Sequence, residues 1–147
     1  MFTFNNLFNI IRLPGGTDQV TNTVLLLLTD ERLEVREKAA EVLGGLVHCD
    51  FLHRKKCDAL LNQFRKNASG KLPQGLRDAN APDFDSALIV RHAGVLGLCA
   101  FVNAYPYDVP EFLPDLLVSL GGHLNDPQPI SVSVFPFHSP TLYHVVD

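Results

Sequence analysis

The chain has 147 residues, of which 46% are hydrophobic and 19% are charged. This length fits one domain or one piece of a larger array, and the apolar fraction is sufficient to build a core. The net charge of −4 argues against a dedicated nucleic-acid binder, which would usually be basic. Three irregularly spaced cysteines indicate no disulfide framework and fit a reducing compartment. No secretory signal or membrane helix is expected, so the composition favours a soluble intracellular protein.

The N-terminal part predicts a short helix followed by a longer one. Residues 1–11 are apolar and aromatic and would need a partner if they are helical. Residues 14–16, Pro-Gly-Gly, predict a turn. Thr17 or Asp18 can cap a helix that runs to Leu28, because apolar residues recur there at helical spacing.

The clearest helix of the sequence runs from Glu31 to Cys49, with Asp30 as its expected cap. Glu34 and Lys38 form an i,i+4 pair in the favourable order, which contributes about 0.3 kcal/mol. The charged residues lie mostly off an apolar stripe. That stripe comprises Leu33, Val35, Ala39, Val42, Leu43, Leu46 and Val47.

Two long phrases of the chain share one pattern. Residues 30–46 and 86–101 align when Arg36 is placed on Arg91, since both phrases then show Val-Arg, a small residue one turn later and large apolar residues after it. Such recurrence is typical of a solenoid built from helix pairs. We interpret both arginines as structural, with Arg36 acting through the turn at Asp30. The Gly-Gly pair at 44–45 costs up to about 1 kcal/mol per glycine, which predicts close approach of a neighbouring helix.

Three further helices are predicted over residues 52–67, 85–104 and 110–124. Residues 68–83 are rich in Gly and Pro and predict a polar loop. Residues 131–147 alternate, contain several prolines and predict an irregular tail. We therefore expect an all-α fold, an α-solenoid of HEAT-like helix pairs truncated within its last repeat, with a helical region over 1–130. The predicted helix over residues 52–67 is expected to face the core with Cys57, Leu60, Leu61 and Phe64.

Possible metal ligands cluster within ten residues at His48, Cys49, Asp50, His53 and Cys57. A zinc site needs a closed set of four ligands, and no spacing here matches a known zinc pattern. His48 favours a helix C-terminus, Asp50 can cap the next helix, and the two cysteines suit a core. No metal or other cofactor is therefore predicted.

Nucleophile and base pairs can be imagined at Cys99 with His92 and at Cys57 with His53. Cys99 lies in an apolar stripe, where a thiol is inert. The chain contains no Gly-rich phosphate loop or paired acids. The short basic cluster 53–56 is interpreted as a solvated helix face. A binding surface is thus a better interpretation than an enzyme.

Four phrases carry a resemblance to a known family: LEVRE at 33–37, RHAGVLGL at 91–98, PYDVP at 106–110 and HLNDPQPI at 123–130. They resemble the C-terminal HEAT-repeat region of the large single-chain proteasome activators, the proteasome activator complex subunit four family. The resemblance covers residues 1–130 in order, and residues 131–147 stand outside it. It implies an α-solenoid dome that caps the outer ring of the core proteasome, in the nucleus and cytoplasm, without direct DNA or membrane contact.

The resemblance also implies recognition of acetylated core histones, whose ubiquitin-independent degradation serves DNA repair and spermatogenesis. A bromodomain-like stretch of the family uses an Asn-Phe pair for acetyl-lysine, and this pair matches Asp50 and Phe51. Because ionised aspartate only accepts hydrogen bonds whereas asparagine also donates them, we expect weak acetyl-lysine binding here. The family's Tyr-Tyr-Ala tail is replaced by residues 144–147, so no proteasome activation is expected from this chain alone. The alternative is a generic HEAT-type adaptor.

Overall fold

A computed structural model describes residues 14–72 and 82–123, which form helices without any strand in those ranges. This confirms the predicted all-α class. The predicted short helix over 1–11, most of the loop over 68–83 and the tail over 131–147 lie outside the described residues. The five helices within the described ranges are α1 (Gly16–Leu27), α2 (Leu33–His48), α3 (Arg54–Ala68), α4 (Pro82–Asn103) and α5 (Leu113–His123).

Helix α1 begins directly after a left-handed glycine. Gly15 has φ +77° and is the N-cap, without a side-chain capping bond. Glycine adopts this conformation at no steric cost. The predicted capping by Thr17 or Asp18 is therefore wrong, because both residues lie inside the helix. The Thr17 carbonyl instead accepts a hydrogen bond of 2.7 Å from the hydroxyl of Thr21, which satisfies a fully buried side chain.

Helix α2 begins at Leu33, two residues later than predicted. The Asp30 carboxylate accepts a hydrogen bond of 2.9 Å from the backbone N–H of Arg32, and Arg32 is the N-cap. Asp30 thus orders the turn before the helix instead of capping the helix itself. The predicted pair of Glu34 with Lys38 is also wrong, since Lys38 reaches Glu41 at 2.7 Å.

The buried face of α2 is rotated from the predicted stripe. Val42, expected to face inward, is 39% exposed. Arg36 is only 3% exposed. Because it is charged, the apolar stripe read from the sequence left it out and so misplaced the buried face of the helix. The buried residues of the helix are Arg36, Ala39, Ala40, Leu43, Gly44, Leu46 and Val47.

Helix α4 is the central element, because α2, α3 and α5 all pack against it. Residues 92–101 form an unbroken buried run, as expected for a helix covered on several sides. The stretch Phe84–Asn103 has the length and hydropathy of a membrane span, and such a stretch also fits the core helix of a bundle. Here it is the helix around which the others are arranged.

The α3–α4 contact depends on two glycines of the second repeated phrase. A Cβ atom on Gly94 would lie 2.5 Å from the backbone nitrogen of Ala68, and one on Gly97 would lie 2.6 Å from the ring of Phe64. Both distances are too short for real atoms, so only glycine permits this approach. The sequence showed both glycines but gave no reason for them.

Aromatic rings continue the core from α3 towards the α4–α5 connection. Phe64 meets Phe101 edge-to-face with ring centroids 6.4 Å apart, and Phe101 meets Phe112 in the same way. Phe112 then meets Tyr105 at 5.6 Å and 76°. Each such pair contributes about 0.5–1.5 kcal/mol beyond burial. The series fixes the position of the α4–α5 connection against the core.

Candidate functional site

Two turns meet at one end of the helices. The α2–α3 turn covers 49–53 and the α4–α5 connection covers 104–112. His48, at the end of α2, donates from Nδ1 to the carbonyl of Ala104 at 2.8 Å. This bond joins the two turns and requires the tautomer that carries its proton on Nδ1.

The α2–α3 turn has a Schellman geometry. The N–H of Phe51 donates to the carbonyl of Leu46 at 3.0 Å, and the N–H of Asp50 donates to that of Val47 at 3.1 Å. These are the two bonds that close a helix of this type, and they need a left-handed residue between them. Asp50 supplies it with φ +55°. Aspartate and asparagine are among the few residues that adopt this conformation readily.

The two residues that the family resemblance singled out lie in different environments. Asp50 is exposed, while Phe51 is partly buried against the core. The prediction that Asp50 caps the next helix is wrong, because the N-cap of α3 is His53 and no side chain bonds to that helix start. The predicted start of this helix at residue 52 falls two residues early.

A groove of about 500 Å³ lies between the two turns. Its apolar part comes from the end of α2, the start of α3 and the α4–α5 connection. Among the described residues, Tyr105 and Phe112, rather than Phe51, form its aromatic wall. Its lining comprises Val47, Asp50, Leu52, Arg54, Cys57, Asp58, Tyr105, Pro110, Glu111 and Phe112.

Burial and neighbouring carboxylates both oppose negative charge in this groove. Burial raises the pKa of the Cys57 thiol, and the charges of Asp58 and Asp50 raise it further. The pKa of Tyr105 is also raised, first by burial and then by nearby charges that include Asp50. Both shifts disfavour a further negative charge at this place. The site is therefore suited to a ligand without negative charge.

A second groove of about 490 Å³ runs between α2 and α4. A Cβ atom on Gly44 would lie 3.1 Å from the carbonyl oxygen of Ala100, so the predicted close helix approach is confirmed there. At Gly45 it is wrong, because a Cβ atom would meet nothing within 4 Å. Glu37 and Glu41 stand among the residues that line this groove.

A buried arginine links the two repeated phrases. Arg36 donates to the carbonyls of Asp30 at 2.7 Å and Glu31 at 3.0 Å. The predicted structural role of Arg36 through the Asp30 turn is thus confirmed. Its Nε also donates to Nδ1 of His92 at 3.0 Å, a contact that the repeat alignment missed because it paired Arg36 with the neighbouring residue, the half-buried Arg91.

His92 is held neutral in this contact. Its side chain is fully buried, and burial together with the charge of Arg36 lowers its pKa to about 4. Its Nε2 atom is buried and has no hydrogen-bond partner in the described structure. An imidazole that accepts from a guanidinium and is closed to solvent is a packing and polar-pairing group, and it has no access to a substrate.

The cysteines separate into three environments. Cys99 is buried, and burial raises the pKa of its thiol to about 12, which leaves no reactive thiolate at neutral pH. Cys57 is partly buried, as predicted, whereas Cys49 is exposed, so its assignment to the core is wrong. Across residues 14–72 and 82–123, no group of three or more His, Cys, Asp or Glu could hold a metal ion.

The remaining polar motifs lie on surfaces. His53, Arg54 and Lys55 are exposed and Lys56 is partly exposed, which confirms that the basic cluster is a solvated face. His123 ends α5, as expected for a helix-end residue.

Comparison with known proteins defines the class to which this helical block belongs. A family model described as "Proteasome activator complex subunit 4-like, C-terminal" matches residues 88–139. The human protein "Proteasome activator complex subunit 4" is 41% identical over 140 residues, which cover 89% of this chain and 7% of the human chain. The zebrafish (Danio rerio) "Proteasome activator complex subunit 4B" is 42% identical over 137 residues, with the same shares of 89% and 7%.

The similarity extends to plants. "Proteasome activator subunit 4" of Arabidopsis thaliana is 33% identical over 123 residues, which cover 79% of this chain and 6% of that protein. The chain therefore belongs to the proteasome activator complex subunit 4 family, as its phrases indicated. It spans about 7% of the length of the animal relatives it matches.

Proposed function

We propose that this chain is a non-catalytic part of a proteasome activator and that it associates with the outer ring of the core proteasome. The observation that carries the proposal is the 41% identity to the human activator across 89% of the chain. The family model in turn matches residues 88–139, which include the α4–α5 connection at the groove and all of α5. Similarity over most of the chain supports a shared role.

A HEAT-like solenoid is part of the same proposal. Helix α1 packs on α2, α3 on α4 and α4 on α5, while α2 packs on α4, to which the buried Arg36 contact joins it. Helix α5 exposes Leu117 at 45% and Val118 at 79%. An apolar face of this kind suits a further helix of an array. A solenoid would present grooves along its surface and would need no catalytic residues.

The non-catalytic role has chemical support in the described residues. A cysteine nucleophile requires an accessible thiolate, whereas Cys99 is buried with a raised pKa. His92, its imagined base, is fully buried and engaged by Arg36. The proposed role is therefore regulation through binding.

The histone part of the proposal concerns Asp50. In this account the family's recognition of acetylated core histones, with its roles in DNA repair and spermatogenesis in the nucleus and cytoplasm, is attenuated in this chain. Asp50 lines the groove, and an ionised carboxylate has no N–H to offer to an acetyl carbonyl. The left-handed backbone at this position accepts asparagine equally well, so Asp50→Asn restores a donor without backbone strain.

Titration of an acetylated histone H4 peptide by fluorescence anisotropy tests this part. We expect weak binding to the unaltered chain and stronger binding to Asp50→Asn. Asp85→Asn removes the same charge from the far end of α4 and should leave binding unchanged. Tight binding by the unaltered chain that Asp50→Asn does not change would contradict the role of Asp50. Association with the core proteasome is measured separately, without peptide.

A further inference from the structure

The groove between the two turns is lined by charged as well as apolar side chains. Asp50, Asp58 and Glu111 line it, and Arg54 is the one cationic residue of the described lining. Three carboxylates and one guanidinium give a formal charge of −2. A cation that enters this groove is therefore attracted to several carboxylates at once.

These carboxylates have no counter-ion in the part of the chain that the structure describes. The ion pairs there join Asp30 to Arg32 and Lys38 to Glu41, both away from the groove. Arg54 shares the groove and still forms no ion pair with its acidic neighbours. The negative charge of the site is thus available to a ligand.

We propose that this groove binds the protonated side chain of a lysine in a basic peptide, and that it prefers this lysine to its acetylated form. The aliphatic stem of lysine matches the apolar walls from Val47, Leu52 and Phe112. Its ammonium group faces the carboxylates and can also lie against an aromatic ring. The ligand chemistry is therefore an apolar stem that ends in a positive charge.

Acetylation would remove what the groove recognises. It neutralises the ammonium and adds a carbonyl oxygen, which Asp50 can only repel. The ligand would then have no positive charge for the surrounding carboxylates to attract. Asp50 already lines the groove, so its carboxylate meets the ligand without a change in the turn.

A metal ion is a poorer occupant than a lysine. The described residues contain no group of three or more potential ligands close enough to hold one. Carboxylates spread around a groove of about 500 Å³ suit a long organic cation that passes between them. Tyr105 and Phe112, whose rings are 76° apart, offer such a cation two differently oriented surfaces.

The test uses the full chain and a histone H4 tail peptide, unmodified or acetylated at its lysines, in a fluorescence anisotropy titration. It rests on the proposed function only for the choice of a histone tail as probe. We expect the unmodified peptide to bind more tightly and to weaken as salt is raised. Asp50→Asn, Asp58→Asn and Glu111→Gln should each weaken its binding about two- to fivefold.

The matched control is Asp85→Asn. Asp85 is exposed and lies 20 residues from Tyr105 along the chain, about 30 Å at the rise of a helix. It should leave binding of the unmodified peptide unchanged. An equal loss in this variant would mean attraction by net charge alone and would overturn the assignment to the groove.

Two peptide results would also overturn the proposal. One is equal or tighter binding of the acetylated peptide to the unaltered chain. The other is undiminished binding of a peptide whose lysines are replaced by glutamine, which has no positive charge. Neither result bears on association with the core proteasome, so failure of this inference and failure of the proposed function remain distinguishable.

Discussion

The Arg36–His92 contact sets the chemistry of the buried polar centre. Arg36 donates to two carbonyls and to the imidazole of His92. These hydrogen bonds provide partners for a positive charge that is buried in the core. A buried cation that loses such partners is costly, because charge-assisted hydrogen bonds contribute about 1.5–3 kcal/mol each. The pair also joins the α1–α2 turn to α4.

The first prediction concerns pH. His92 has a folded pKa of about 4 against 6.5 for a free imidazole, so the unfolded chain binds its proton first as the pH falls. The stability that neutral His92 provides is therefore complete above pH 6.5 and is lost as the pH falls towards 4. We expect a loss on the order of 2 kcal/mol between pH 7 and pH 5 from this group.

Urea unfolding at several pH values measures this loss. His92→Asn keeps an acceptor near Arg36 but removes the titrating group, so its free energy of unfolding should fall less between pH 7 and pH 5. Parallel pH profiles for the two proteins would contradict the role of His92.

A second prediction concerns Arg36 itself. Lysine keeps the charge but loses the planar fork that reaches three acceptors at once. We expect Arg36→Lys to lower the free energy of unfolding by about 1–3 kcal/mol. The exposed Arg32→Lys is the matched control and should cost less than about 0.5 kcal/mol. Equal effects in thermal or urea unfolding would show that the buried fork contributes nothing specific.

The role of a residue could be predicted from the sequence where that role does not depend on how the helices pack. The structural role of Arg36 was predictable from its repeated position, whereas its partner His92 was not, because the partner depends on how two helices rotate against each other. Asp50 was singled out through the family resemblance, but its left-handed backbone was not foreseen. A conformation of that kind depends on where the helix ends, which is at His48, one residue before the predicted end.

Helix packing depends on glycines at the contacts between elements. Gly94 and Gly97 allow α3 to lie against α4, and Gly44 allows α2 to approach the same helix. Gly45 differs, since it faces open space. Of these two adjacent glycines, Gly44 is therefore needed for helix packing and Gly45 is not.

The third prediction uses this difference. Gly94→Ala puts a Cβ atom 2.5 Å from a backbone nitrogen of α3, so the two helices must separate, at a cost of about 1–3 kcal/mol or more. Gly45→Ala adds a methyl group in open space and gains helix propensity, which should stabilise by about 0.5–1 kcal/mol. Thermal unfolding of both variants measures the contrast. Destabilisation by Gly45→Ala would contradict the placement of the two glycines.

A fourth prediction tests the rotation of α2. Leu43 is fully buried, whereas Val42 is 39% exposed. Leu43→Ala should cost about 2–5 kcal/mol, and Val42→Ala should cost less than about 1 kcal/mol, since part of this side chain remains in water. Urea unfolding of the two variants decides the matter, and similar costs would contradict the observed face.

Periodicity predicted the helices better than it predicted their ends. The predicted span 31–49 became 33–48, and the predicted 85–104 became 82–103. The N-caps were missed because the start of a helix depends on one or two backbone angles, such as those of Gly15 and Arg32. Apolar spacing does not fix those angles.

At the scale of the molecule, one core centred on α4 holds two turns together and forms a groove between them. The sequence named Asp50 but could not bring Asp58, Tyr105 or Glu111 beside it, since these residues are up to 61 positions away in the chain. Only the packing of α2, α3 and α4 makes them neighbours. The family could be predicted because long phrases of the sequence resemble it.

The most direct measurement of the central claim is association with the core proteasome. Purified chain is mixed with purified core particles and separated by glycerol-gradient sedimentation, with Leu43→Ala as a variant whose core is weakened. The account predicts that the chain moves with the core particles in proportion to added chain and that Leu43→Ala moves with them less. A chain that stays at the top of the gradient at every concentration, while its unfolding profile remains cooperative, would contradict it.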